Sequence, residues 1–116
     1  MTRQDIENSK IYILTEIIEY VPNSVVSKTI LRKTTGNINV IAMDAGEELA
    51  LKISPFDTFI QVIEGSAEAF IDDNPQIISI GQGIIIPAHN LNVIKANGRF
   101  KMISTVIKSG YEMFSR

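Results

Sequence analysis

From residue 24 to residue 107 the sequence is punctuated by turn signals at intervals that leave no room for a helix of ordinary length. Thr34-Thr35-Gly36-Asn37, Asp44-Ala45-Gly46, Ser54-Pro55-Phe56-Asp57, Asp72-Asp73-Asn74-Pro75, Gly81-Gln82-Gly83 and Asn97-Gly98 are all built from residues that supply positive φ, fix φ, or bond their own backbone. Between them stand short runs rich in Ile and Val: VVSKTILRK from Val25, Ile38 to Met43, two runs inside Gly46 to Gly65, SAEAFID from Ser66, QIISI from Gln76, Ile84 to Ile86, LNVIKA from Leu91 and RFKMISTVI from Arg99. Such runs bury their apolar side chains by pairing as strands, which predicts an all-β sandwich or closed barrel. Ile86 is the last residue of its run because Pro87 cannot donate to a sheet ladder.

The ends read differently. Residues 1–10 are polar, and the apolar residues Ile11, Leu14, Ile17 and Ile18 then fall on one helical face before Val21-Pro22-Asn23-Ser24 stops them. The expectation is a short helical or irregular arm over 1–23, a barrel over 24–107 and a tail over 108–116. In the tail Tyr111, Met113 and Phe114 could dock on the body or on a partner. A chain of 116 residues fits one domain and buries roughly two thirds of its unfolded surface, so a core is available without staples.

Several functions are disfavoured at once. There is no cysteine, which removes disulfides, thiolate metal sites and a cysteine nucleophile and fits a reducing compartment. The first ten residues lack the apolar core of a secretory signal, and no run approaches the ~20 apolar residues of a membrane span. The net charge is -2, and the basic residues are scattered (Lys28, Arg32, Lys33, Lys52, Lys95, Arg99, Lys101, Lys108), so no face is marked for nucleic acid. A cytoplasmic protein with no nucleic-acid and no membrane partner is expected.

The segment GEELALKISPFDTFIQVIEG, Gly46 to Gly65, carries a resemblance. It matches the frame of the first cupin motif, G-x5-H-x-H-x3-E-x6-G, without insertion, and Gly81 to Pro87 fits the first half of the second, G-x5-P-x-G-x2-H-x3-N. With the strand and turn order from about Val25 to Ile107, the chain resembles the small single-domain cupins, and the implied fold is the RmlC-like double-stranded β-helix, a jelly-roll barrel. In that family residues two apart on a strand aim two imidazoles into the barrel, and a carboxylate and a third histidine complete one metal site. Here Lys52 and Ser54 stand in place of the two histidines, Thr58 in place of the carboxylate, Asn92 in place of the last histidine and Ala96 in place of the closing asparagine. Protonated lysine has no lone pair to give, and hydroxyls and amides are weak ligands for a transition metal. The expected protein therefore has neither metal nor other cofactor.

Polar side chains in a barrel interior must be wet, bonded to one another, or satisfied by a ligand, because an unpaired buried polar group costs ~1–3 kcal/mol. One reading is a pocket formed by Lys52, Ser54, Thr58 and Asn92, with His89 at its rim, that takes a small polar or anionic molecule. Against it stands a decayed site, with Lys52 snorkelling to water and the hydroxyls bonded to backbone. A desolvated Lys52 could act as a base or Schiff-base amine, but no second catalytic group stands at a matching position, so no catalytic residue is assigned. His89, the only histidine, occupies the motif's glycine position, where tolerance of positive φ explains it. The carboxylates Glu47, Glu48, Asp57, Glu64, Asp72 and Asp73 read as solvated turn or strand-end residues.

Three functions follow: a metal-free small-molecule binder, a cupin enzyme of isomerase, decarboxylase or dioxygenase type with an altered residue set, and a structural homodimer with outward Ile and Val packed between copies. Self-association is compatible with each, and the family resemblance makes a homodimer the default expectation.

Overall fold

The computed structural model describes residues 6–51 and 54–108. Lys52 and the apolar tail residues Tyr111, Met113 and Phe114 lie outside the described residues. Nine strands follow one another: β1 (Val25–Lys33), β2 (Gly36–Met43), β3 (Glu48–Leu51), β4 (Asp57–Glu64), β5 (Ser66–Ile71), β6 (Asn74–Ser79), β7 (Gly83–Ile86), β8 (Asn92–Lys95) and β9 (Phe100–Ile107). They form a five-stranded sheet in the order β1-β2-β9-β4-β7 and a four-stranded sheet in the order β3-β8-β5-β6, with antiparallel pairing throughout.

Register decides which side chains share a face, since alternate residues of a strand point the same way. On the inner face of the larger sheet lie Ile41 and Met43 of β2, Phe100 and Met102 of β9, Ile60 and Val62 of β4 and Ile86 of β7. They pack with Ala67, Ala69, Ile78, Ile94 and Ala96 from the β5, β6 and β8 side. Phe100, Met43, Ile60, Ile94 and Met102 are fully buried, each contributing ~1.5–3 kcal/mol by leaving water, so this part of the interior is sealed.

Two tight turns show why particular residues stand where they do. Ile71 pairs with Asn74, leaving a two-residue hairpin loop of Asp72 and Asp73 at φ +51° and +68°, the left-handed pair that a twisted hairpin requires. The turn signal Asp72 to Pro75 is thus shorter than its composition suggests. Pro75 lies inside β6 opposite Phe70, and it is tolerated there because β6 is an edge strand. Gly65, between β4 and β5, carries the chain from one sheet to the other at φ +72°. A Cβ on it would meet the Arg99 carbonyl oxygen at 2.3 Å.

The segment before β1 contains a single 3-10 turn, Leu14–Glu16, and no longer helix among the described residues. The face predicted for a helix is used differently: Ile17 and Ile18 pack on the outer face of the larger sheet, against Val40, Ala42, Ile103, Val26 and Ile30. A bulge between Val62 and Glu64 turns Glu64 onto this face, opposite Lys101. There the Tyr20 hydroxyl donates to Glu64 Oε2 at 2.6 Å, and Lys101 Nζ donates to the Thr15 carbonyl at 2.5 Å while lying 4.8 Å from the Tyr20 ring centre. Glu64 Oε2 is 3.8 Å from Lys101 Nζ. Burial first, and then the bond to the Glu64 carboxylate, push the Tyr20 hydroxyl well above its ordinary value. Glu64 is therefore half-buried and engaged rather than a solvated strand end, and Lys101, only 7% exposed, is the anchor of the arm. At the arm's foot Asp44 accepts from Arg99 Nε at 2.8 Å and from the Asn23 backbone N–H at 2.6 Å, which hold its carboxyl down at about 2.

Among the described residues no helix is long and apolar enough to cross a membrane.

Candidate functional site

One end of the barrel gathers the loops that matter. β4 starts where β7 ends, with Thr58 paired to Ile86, and β3 ends where β8 starts, with Leu51 paired to Asn92. The segment leading into β4 and the 87–91 loop therefore lie side by side. The His89 N–H donates to the Ser54 carbonyl at 2.7 Å, and the Ala88 N–H donates to Asp57 Oδ1 at 2.8 Å. The Asp72-Asp73 turn closes on the same loop through the Asp72 N–H to the Leu91 carbonyl and the Asn90 side-chain amide to Asp72 Oδ2. The tip of the β1–β2 hairpin belongs to this end too, because Gly36 and Asp57 both pair with Ile107 from opposite sides of β9.

The inward positions change character here. In one row across the larger sheet Arg32, Asn37, Val106 and Thr58 are successive partners, and in the next Thr29, Asn39, Ser104 and Ile60 are, with Thr29 and Arg32 exposed on the edge strand β1. Asn37 and Asn39 share the face of Ile41 and Met43, Ser104 that of Met102, and Thr58 that of Ile60. The Thr29 hydroxyl donates to Asn39 Oδ1 and Asn39 Nδ2 to Asn37 Oδ1, both at 2.9 Å. From the opposite sheet comes Asn92, on the same face of β8 as Ile94 and 4% exposed. Its Nδ2 reaches the Asn90 carbonyl at 3.4 Å, and its Oδ1 is buried with no hydrogen-bond partner. The interior thus has an apolar end and a polar end, and at the polar end one acceptor is unsatisfied.

The sequence-derived residues fare unequally. Asn92 and Thr58 take inward positions at the polar end. The Ser54 hydroxyl accepts the Phe56 N–H at 3.0 Å, so it shapes the turn around Pro55. His89 is exposed at φ +67°, as its place in the motif suggests, and Lys52 lies outside the described residues. Asn37, Asn39, Thr29 and Ser104 were not singled out in the sequence. The only signal for them was the alternation of Asn39 with Val40 and of Ser104 with Ile103, which does not say which face turns inward. Two cavities among the described residues lie away from Asn92: one of about 720 Å³ between the arm and β1, and one of about 210 Å³ that reaches Asn37 and Val106 at the hairpin tip.

A cupin metal ion needs converging imidazole or carboxylate donors, and among the described residues no group of three or more His, Cys, Asp or Glu could hold one. Asn92 and Thr58 offer an amide and a hydroxyl. This donor set does not fit a transition metal.

Two antiparallel sheets with this strand order define the class: an all-β protein with the cupin jelly roll, the RmlC-like double-stranded β-helix. More narrowly, it has the small-cupin fold and closely matches solved structures of conserved proteins of this fold, among them proteins of unknown function. A conserved protein of unknown function from Streptococcus pyogenes superposes with a TM-score of 0.83 at 28% identity, over 93% of this chain and 95% of that one. A cupin superfamily protein from Desulfitobacterium hafniense gives 0.82 at 22% identity, over 92% and 98%. A cupin 2 conserved barrel domain protein from Leptotrichia buccalis gives 0.80 at 26% identity, over 84% of this chain and 47% of that one. No family model and no curated protein matches the sequence.

Proposed function

We propose that this protein binds a small polar or anionic organic molecule, without a metal, at the polar end of its barrel. The observation that carries this reading is the buried, unpaired Oδ1 of Asn92, at a position where the cupin frame places a metal-binding histidine. A buried acceptor left unpaired costs ~1–3 kcal/mol, and a bound molecule would satisfy it. Among the described residues no fitting donor set surrounds it, which favours an organic ligand over an ion. A thermal-shift screen of small polar and anionic compounds tests the reading: a binder at a hundred times its Kd adds ~2.7 kcal/mol of stability. A compound that stabilises the wild type and leaves Asn92→Ala, Thr58→Val unmoved supports it, and a screen in which no compound stabilises the wild type contradicts it.

We also propose self-association through the arm. Ile11, Ile13, Leu14 and Val21 are exposed, Ile11 at 99%, and a second copy would remove them from water. Light scattering tests this, with a dimer expected and Ile11→Asp, Ile13→Asp expected to shift it to monomer.

A further inference from the structure

Asn97-Gly98 is the only Asn-Gly pair in the chain, and it lies in the connection from β8 to β9, which carries the backbone from one sheet to the other. We infer that this pair is a site of spontaneous covalent modification, at which Asn97 loses its side-chain amide as ammonia and becomes isoaspartate or aspartate.

The step is an attack of the Gly98 backbone nitrogen on the side-chain carbonyl carbon of Asn97. The new N–C bond closes a succinimide ring, the bond from that carbon to Nδ2 breaks, and the Gly98 N–H proton leaves with Nδ2 as ammonia. Water then opens the ring. Opening at the former side-chain carbonyl gives aspartate, and opening at the main-chain carbonyl gives isoaspartate, whose backbone is longer by a methylene. No oxidant, reductant or cofactor is consumed.

The reaction needs a reachable, unhindered and unbonded nitrogen in a segment that can turn. Both residues are exposed and outside the strands, and a Cβ placed on Gly98 would meet nothing within 4 Å. The Gly98 N–H donates to no backbone group among the described residues. The neighbours carry the restraints instead. Ala96 donates to the Glu47 carbonyl at 2.9 Å and accepts from the Gly46 N–H at 2.7 Å, while Arg99 Nε donates to Asp44 at 2.8 Å. Asn97 and Gly98 can therefore turn without breaking a backbone bond, as glycine permits. The side chain is held loosely, by Asn97 Nδ2 donating to Glu68 Oε1 at 3.3 Å in water. Other asparagines are protected differently. The nitrogens after Asn37, Asn39 and Asn92 belong to Ile38, Val40 and Val93 in paired strands, and the Ser24 N–H that follows Asn23 is bonded to the Val21 carbonyl. Conversion adds one negative charge to the chain's -2 and sets a carboxylate against Glu68 in place of the amide that donates to it.

The test incubates the full, folded chain in mildly alkaline heavy-oxygen water and maps its peptides after digestion in ordinary water, so that only conversion in the intact protein carries label. Trypsin releases Ala96 to Arg99, which reports the site. Asn97 is expected to convert first, ahead of the exposed Asn8-Ser9 pair, with isoaspartate among the products. Gly98→Ala, which the open space around Gly98 accommodates, should slow conversion about tenfold or more, ~1.4 kcal/mol in the barrier. An equal rate in a folded Gly98→Ala protein overturns the inference. So does label at Asn8 before Asn97, or an Asn97 that stays intact in the folded protein over the time in which the urea-unfolded chain converts.

Discussion

Asn92 sets ligand demand against stability within a single side chain. Without ligand, its buried Oδ1 is a net cost, and an apolar side chain of similar size would remove it. Asn92→Leu is therefore expected to raise stability in the absence of ligand by ~1–2 kcal/mol, read as a higher urea midpoint at unchanged m-value. A loss of that size would mean that the amide is structurally satisfied. Gly65 makes the opposite case. Its φ of +72° and the 2.3 Å approach of the Arg99 carbonyl to an added Cβ predict that Gly65→Ala costs ~2 kcal/mol or more. Gly81→Ala, at φ +82° but with nothing within 4 Å, should cost ~1 kcal/mol. Denaturant melts of the pair separate collision from backbone strain. Gly65 and Asn92 were both visible in the sequence, but only as positions in a motif. The physical reasons, a sheet-to-sheet corner and an orphaned acceptor, appear only once the fold sets Arg99 against Gly65 and buries Asn92 between the sheets.

At the level of elements, strands were legible wherever β-branched runs met a turn signal, as in β1, whose observed span Val25–Lys33 coincides with the run VVSKTILRK. Faces were less legible. Ile38, Val40 and Ala42 alternate with Asn39, Ile41 and Met43, yet both sets are largely apolar because the arm covers the outer face while the barrel covers the inner. Of the two forms the arm's spacing allows, short helix or irregular segment, the structure takes the second, with one 3-10 turn. Its apolar spacing fits a helix, but one 3-10 turn suffices once Lys101, Tyr20 and Glu64 hold it to the sheet, and those three are far apart in sequence. The arm's foot yields a pH prediction. The Asp44 carboxyl is lowered from 3.8 to about 2, chiefly by Arg99, so its contribution is complete above about 4 and is lost as pH falls towards about 2. Carboxyl NMR should place the Asp44 midpoint near 2, and Asp44→Asn should flatten that part of the acid stability profile. A midpoint near the ordinary value would show that the Arg99 and Asn23 bonds do not persist in solution.

For the whole molecule, the barrel separates what identifies the fold from what determines chemistry. The glycine frame, the Pro55 turn and the apolar end from Met43 to Phe100 specify the cupin fold, whereas Asn37, Asn39, Thr58, Asn92 and Ser104, the described inward side chains at the polar end, are amides and hydroxyls. Fold likeness alone does not carry the metal with it. The most direct measurement is the metal content of the full-length protein, purified without chelator from cells grown with iron, manganese, nickel and zinc and then dialysed. The account predicts a content far below one ion per chain, unchanged by Asn92→Leu. A stoichiometric ion that disappears in the Asn92→Leu protein would contradict it and make the polar end a metal centre after all.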